Sequence, residues 1–290
     1  MTITAAKFFD GSGTHREPTV EDQFFTDLRT RNATFKRTAR HRFEELDDVC
    51  IRTFRAADAR IANVLDIGIS SGSTTVTLSE RLIAAGYPAQ LVGTDISLDA
   101  MLISPMPGVR VLTDEAGHAL QFDVLGKAVR PWGRRADYAT GMLVFRAALN
   151  AVLGGMARQR LQGARDGVVP VRLVSPSVDD HANVDIVNND ILEDTPAFHG
   201  RFDFIRAGNI LNRGYFGEAA LRGALHNIVR YLSGPGAWLL IARSTGGRHV
   251  GTLFRISSDG RYLDVVDRFG GGSEIEWLAL DTSLPSEWVK

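Results

Sequence analysis

The chain has 290 residues, 44% of them hydrophobic, and a formal net charge of −1. That length suits one large α/β domain with an insertion or two small domains, and the apolar fraction is enough for a core. The charge excludes a global basic field for nucleic acid. The single cysteine, Cys50, excludes an internal disulfide or a cysteine-rich metal site and suits a reducing cytoplasm. Residues 1–10 are too poor in apolar residues for a secretory signal. No run of 18 uncharged apolar residues is present, so no spanning helix is expected.

Residues 1–60 read as an N-terminal helical segment. Residues 1–19 are a polar, glycine-containing tail, and Glu21 to Arg29 suits a short helix. Ala33 to Phe54 suits a longer one, with Phe35, Ala39, Phe43, Leu46, Cys50 and Phe54 at spacings of three and four. The apolar run Ile61 to Ile67 then reads as a buried parallel strand. It breaks into a small-residue loop, Gly68 to Ser73. A helix follows on Val76, Leu78, Leu82 and Ile83, and stops at Gly86 with Pro88 just beyond. A strand, a tight loop and a helix open a nucleotide-type α/β unit.

Three ligand chemistries compete for that loop. A dinucleotide loop needs G-x-G-x-x-G, which Gly68 and Gly72 do not supply, and the charge of Asp66 opposes a phosphate. A P-loop needs a Lys after its last glycine, and none follows Gly72. A ligand with an adenosine half and a cationic amino-acid half tolerates Asp66, and S-adenosylmethionine is such a ligand. Asp66-Ile-Gly68-Ile-Ser-Ser-Gly72 resembles the first motif of class I S-adenosylmethionine-dependent methyltransferases, D/E-x-G-x-G-x-G, with Ser70 in place of the middle glycine. On this reading Asp66, Gly68, Ile69, Ser70, Gly72, Ser73 and Thr74 bind the cofactor.

The strand Gln90 to Asp95 ends in a carboxylate that can accept from both ribose hydroxyls, with Ile96 beside it. An Asp capping a following helix is the alternative. A third strand, from Asn183, leads to Asp190 and Ile191. The resemblance implies that this acid accepts from the adenine amino group and that its apolar neighbour packs on the ring. A fourth strand, Phe202 to Asn209, ends in Ala207, Gly208 and Asn209 at the sheet's carboxyl edge. No D/N-P-P-Y tetrad follows, which argues against a base-methylating enzyme. Tyr215 to Leu232 is a helix and Ala237 to Ala242 a fifth strand. The stretch Leu232-Ser-Gly-Pro-Gly-Ala-Trp238 resembles the family's L-x-P-G-G-x-L. His249 to Ile256 and Tyr262 to Phe269 form a hairpin about Asp259-Gly260. Ser273 to Glu276 is a capping-box sequence for a helix over 274–280.

The fold expected is α/β, a doubly wound, mostly parallel seven-stranded sheet with a C-terminal antiparallel hairpin and a large insertion between the second and third strands. The methyltransferase domain spans 61–290, interrupted by an insertion over 101–175. The insertion holds ten Lys/Arg against five Asp/Glu. Val109 to Thr113 and Leu120 to Leu125 pair around Glu115-Ala-Gly-His118. An amphipathic helix follows, with Met142, Phe145, Leu149, Val152, Leu153 and Met156 on one face, interrupted by Arg146, Asn150 and Arg158. As a lid, the insertion shapes the acceptor pocket. As a packing face, 138–165 meets its own domain, a homodimer partner or a peripheral membrane surface.

The function expected is methyl transfer to a small-molecule or lipid-like acceptor, in a cytoplasmic or membrane-associated enzyme without nucleic-acid partners. Tyr215, Asn212, His118 and His181 are the candidates for the acceptor base, and no spacing of residues suggests a metal site. The rivals are a non-catalytic binding or membrane-docking module and an NAD-type oxidoreductase. The missing third glycine and the C-terminal hairpin argue against the latter.

Overall fold

The computed structural model describes residues 3–10, 17–30, 36, 40–133, 137, 141–163, 166–245 and 248–289. The chain folds as two compact units, one of residues 1–39 with 97–177 and one of 40–96 with 178–290. It begins in the first unit with α1 (Ala5–Phe8) and α2 (Pro18–Asp27). It enters the second through α3 (Glu44–Ala56), β1 (Asn63–Ile67), α4 (Ser73–Ala84) and β2 (Gln90–Asp95). It returns to the first for β3 (Asp99–Met106), β4 (Val109–Asp114), β5 (Ala119–Val124), β6 (Lys127–Val129), α5 (Met142–Gln162) and β7 (Val168–Arg172). It ends in the second with β8 (Val184–Asn188), β9 (Phe204–Gly208), α6 (Glu218–Tyr231), β10 (Trp238–Thr245), β11 (Arg248–Ile256), β12 (Leu263–Phe269) and α7 (Glu276–Leu280).

The first unit is an antiparallel sheet in the order β6-β5-β4-β3-β7. Strand alternation sends Ala100 and Leu102 to one face and Met101 and Ile103 to the other. Helices α1 and α2 cover the first face with Phe8, Phe24 and Phe25, and the rings of Phe8 and Phe24 stack at 3.9 Å. The Ala5 amide donates to Gln121 Oε1 at 2.6 Å. Residues 1–19 are therefore not simply a polar tail. A four-residue helix is too short to show a period, and its burial comes from α2 and from strands more than ninety positions away.

Helix α5 covers the other face, but its inward face is rotated from the one the sequence suggests. Leu149, Leu153 and Ala157 pack on the sheet, whereas Val144, Phe145 and Val152 are exposed. Arg146, read as an interruption, is buried, with Nε donating to Asp137 and Nη1 to the Arg130 carbonyl. The Asn150 amide likewise donates to the Pro131 carbonyl at 2.8 Å. These two polar side chains tie the helix to the chain leaving β6, and that sets its rotation. No described helix is long and apolar enough to cross a membrane.

The second unit is a seven-stranded sheet in the order β12-β11-β10-β9-β1-β2-β8. Strands β10, β9, β1, β2 and β8 pair in parallel, and β11 and β12 add antiparallel. One face is covered by α3 and α4 through Leu46, Cys50, Phe54, Leu78 and Leu82. The other is covered by α6 and α7 through Leu221, Leu225, Ile228 and Leu278. Phe54 meets Phe204 and Trp238 edge-on at 5.0 and 5.2 Å.

Several boundaries differ from expectation. Helix α3 starts at Glu44 after a turn at 40–43, and residues 33–35 and 37–39 of the longer helix lie outside the described residues. Helix α6 starts at Glu218 rather than Tyr215. The capping box does not form at α7: the Glu276 carboxylate instead takes Thr252 and Arg268, at 2.7 Å each for the shortest contacts. No helix follows Asp95, so it caps none; the chain enters β3. The divide at 97–177 is wider than 101–175, and residues 1–39 belong with it rather than with residues 40–60.

Candidate functional site

The second unit's sheet order reverses between β1 and β9: the chain builds β1, β2, β8 in one direction and β9, β10 in the other. Loops at the carboxyl ends of strands diverge at such a point and leave a crevice where open α/β sheets take ligands. The loop after β1 is Gly68–Gly72, and the loop after β9 begins at Asn209.

Gly68, Ser70 and Gly72 all have positive φ, at 76°, 61° and 85°. Ser70 thus holds, with a side chain, a left-handed conformation that favours glycine. The loop is fixed from the neighbouring strand: the amides of Gly68 and Ile69 donate to the Thr94 carbonyl at 2.7 and 3.1 Å. The Ser70 amide donates to Asp95 Oδ2 at 2.8 Å. Gly72 precedes α4 and has little room, since a Cβ there would lie 3.2 Å from Val178. A Cβ at Gly68 would lie 3.0 Å from Ile210, on the far side of the switch point.

Asp66 does not present a free charge to a ligand. It is 3% exposed, its Oδ1 and Oδ2 accept from Arg206 Nε and Nη2 at 2.9 and 2.6 Å, and Oδ2 also accepts from Thr75 Oγ1 at 2.7 Å. Asp66 and Arg206 are paired across β1 and β9. The guanidinium continues to α3, where Nη1 meets both oxygens of Asp47 at 2.9 and 2.8 Å, and to α4, where Nη2 donates to the Thr74 carbonyl at 3.0 Å. Its carboxylate is thus spent on a buried arginine and a threonine.

Two carboxylates share one guanidinium here. Burial would lower the Arg206 pKa, but Asp47 and Asp66 more than offset it and hold the cation above its usual range. The surplus negative charge falls on Asp47, whose pKa is pushed up to about 6, first by burial and against the pull of Arg206. Its folded-state pKa lies above the unfolded value, so the proton-linked stability is fully present below the unfolded value of 3.8 and is lost as pH rises through about 6. The shift corresponds to about 3 kcal/mol. Tm measured from pH 4 to 7 is expected to fall more steeply for the native chain than for Asp47→Asn. Parallel profiles would refute the assignment. Burial also raises the Cys50 thiol well above its usual range, so the one cysteine is a core residue with little thiolate.

Arg206 and Asp47 carry the strongest electrostatic arrangement in the unit, and neither was singled out from the sequence. The signal was present: Arg206 interrupts the apolar run Phe204 to Ala207, and Asp47 falls on the apolar face of its helix, four residues after Phe43 and three before Cys50.

The other predicted cofactor residues occupy the same sheet edge. Asp95 is half-buried at the end of β2, and Ile96 beside it is 56% exposed. Asp190 lies two residues beyond β8 and turns its Oδ1 to the Leu192 amide at 2.9 Å, while Ile191 is buried. Ser73 and Thr74 are buried in the first turn of α4. Ala207 and Gly208 are buried at the end of β9, and the Phe43 ring leaves no space for a Cβ at Gly208. Asn209 has φ 62°, and its Oδ1 accepts from the Ser244 amide at 2.6 Å.

The base candidates have different local surroundings. Asn212 is buried and works as a loop staple, its amide donating to the carbonyls of Asn209 and Ile210 and its Oδ1 accepting from Gly214. Tyr215 is 57% exposed. His181 lies 3.4 Å from Glu80. His118 belongs to the first unit, at the β4–β5 turn. Among the described residues no group of three His, Cys, Asp or Glu is placed to hold a metal ion.

No protein-family model matches the chain, and no curated protein does. Among solved structures it is similar to the N-methyltransferase NodS from Bradyrhizobium japonicum WM9 in complex with S-adenosyl-L-homocysteine, at 18% identity and TM-score 0.32, over 69% of this chain and 61% of that one. It is similar to an amino pentose methyltransferase from Micromonospora echinaspora, solved with S-adenosylmethionine bound, at 16% identity and TM-score 0.30, over 78% and 67% of the two chains. A third similarity is to a putative sarcosine dimethylglycine methyltransferase from Galdieria sulphuraria, at 12% identity and TM-score 0.32, over 69% and 46%. The chain thus spans 61% of the length of NodS and 46% of the Galdieria protein.

Proposed function

We propose that the second unit binds S-adenosylmethionine at the β1–β9 switch point and that the protein transfers its methyl group to a small-molecule or lipid-like acceptor. The observation that carries this reading is the loop Gly68–Gly72, held in alternating left-handed turns by the Ser70 amide on Asp95. An acid at the end of the neighbouring strand is where a ribose is bound in such sheets.

The nucleoside half of the cofactor fits the residues present. Asp95 accepts from the ribose hydroxyls, the exposed Ile96 supplies an apolar contact for the adenine ring, and Asp190 accepts from the adenine amino group. Gly68 and Gly208 let Ile210 and the Phe43 ring pack against the backbone on either side of the crevice. The ammonium of the amino-acid half finds no free carboxylate at Asp66, and its carboxylate falls to the loop backbone and the first turn of α4, as anions do at helix N-termini. The cofactor supplies an electrophilic methyl group on a sulfonium. The chain's part is to hold the acceptor in line and to exclude water. No side chain here is assigned as base.

Calorimetry on the full chain with S-adenosylmethionine, S-adenosylhomocysteine and NAD tests the reading. Binding of the first two without NAD is expected. Binding of NAD alone would replace it with a dinucleotide enzyme.

A further inference from the structure

The first unit holds a cavity of about 550 Å³, within the range of small-molecule sites. Helix α5 forms one wall with Asn150, Gly154 and Arg158, spaced four residues apart and so on one face. His118, Trp132 and Arg29 line it as well.

The wall chemistry is one-sided. Two arginines and a histidine line the cavity, and no Asp or Glu does among the described residues. The side chains of Arg158 and His118 make no hydrogen bond or ion pair with another described residue, so their donors are available to a ligand. Arg158 is nonetheless placed: its stem rests on Gly117, where a Cβ would come within 2.6 Å of Arg158 Cγ. Trp132 is fixed by its Nε1 donating to the Asp27 carbonyl at 3.0 Å, with the Arg130 guanidinium 4.9 Å from its ring centroid. Gly154 gives the cavity its depth. It is a glycine inside a long helix, which costs about 1 kcal/mol relative to alanine, and a Cβ there meets nothing within 4 Å.

We propose that this cavity binds a planar aromatic anion, a carboxylate or a phosphate monoester, with Arg158 and His118 donating to the charge and Trp132 bordering the ring. Guanidinium groups suit both anions because their paired donors match two oxygens. The proposal concerns the first unit alone and stands whether or not the second binds S-adenosylmethionine.

The test is calorimetry on the full chain with phenyl phosphate, benzoate, benzamide and inorganic phosphate. At least one aromatic anion is expected to bind, more tightly than inorganic phosphate, while neutral benzamide does not. Arg158→Ala is expected to weaken binding tenfold or more. Gly154→Leu is expected to abolish it by filling the cavity, with Tm equal to or above that of the native chain. Failure of both aromatic anions to bind would overturn the proposal. So would benzamide binding as tightly as benzoate, or an Arg158→Ala affinity within twofold of the native value. Titration of each variant with S-adenosylmethionine separates failure here from failure of the second unit.

Discussion

Arg206→Met is expected to lower the unfolding free energy by about 3–5 kcal/mol, the cost of leaving buried charge without its partner. The side chain is 1% exposed and holds Asp47 on α3, Asp66 on β1 and the Thr74 carbonyl on α4. Methionine keeps the volume and removes every one of those bonds, so the loss is electrostatic rather than a cavity effect. Arg206→Lys keeps the charge but lacks the fork that serves two carboxylates at once, and should fall between. The control is the triple variant Asp47→Leu, Asp66→Asn, Arg206→Met, which removes the unpaired carboxylates together and should recover much of the loss. Urea midpoints at pH 7 measure all three. A loss under about 1 kcal/mol for Arg206→Met would mean that the network contributes little.

Asp95→Ala is expected to weaken S-adenosylmethionine binding a few hundred-fold while leaving Tm within a few degrees. Two charge-assisted bonds to ribose hydroxyls, at about 1.5–3 kcal/mol each, account for that loss. The same carboxylate takes the Ser70 amide, so the variant also frees a loop that holds a serine at positive φ. Ser70→Gly separates the two effects. It relaxes the loop without touching the ribose acid, and should leave affinity within a few-fold of native. Unchanged affinity in Asp95→Ala would remove the ribose assignment and with it the main support for the proposed cofactor.

Local signals in the sequence located the elements of the switch point well. The apolar run before Gly68, the small residues through Gly72 and the helical spacing of Val76, Leu78 and Leu82 each report a backbone state that neighbours in sequence decide. The hairpin at Asp259-Gly260 is of the same kind, with Gly260 at φ 73°. What stayed hidden depends on partners far along the chain. Arg206 reads as a flaw in a strand until Asp47 and Asp66, 159 and 140 residues away, are seen to share it. Arg146 reads as a break in an apolar face because periodicity scores charge as exposure, whereas here it is buried against Asp137 and a carbonyl. Asp66 was the instructive case. Its position was legible, but its availability was not, because a carboxylate's role depends on what already bonds to it.

The division of the chain at 39/40, 96/97 and 177/178 has a consequence for synthesis on the ribosome. The first unit is complete once residue 177 has emerged, when the second unit has only α3, β1, α4 and β2. Until β3, β4 and β5 have emerged, by residue 124, Phe8, Phe24 and Phe25 have no sheet to cover, and they wait through the making of half of another core. Afterwards β1 and β2 in turn lack β8 and β9 on their flanks. Each unit thus leaves apolar surface bare while the other is being made, a state prone to association between nascent chains. The nested order is expected to make the yield of folded protein depend on translation rate and on chaperones that hold aromatic segments.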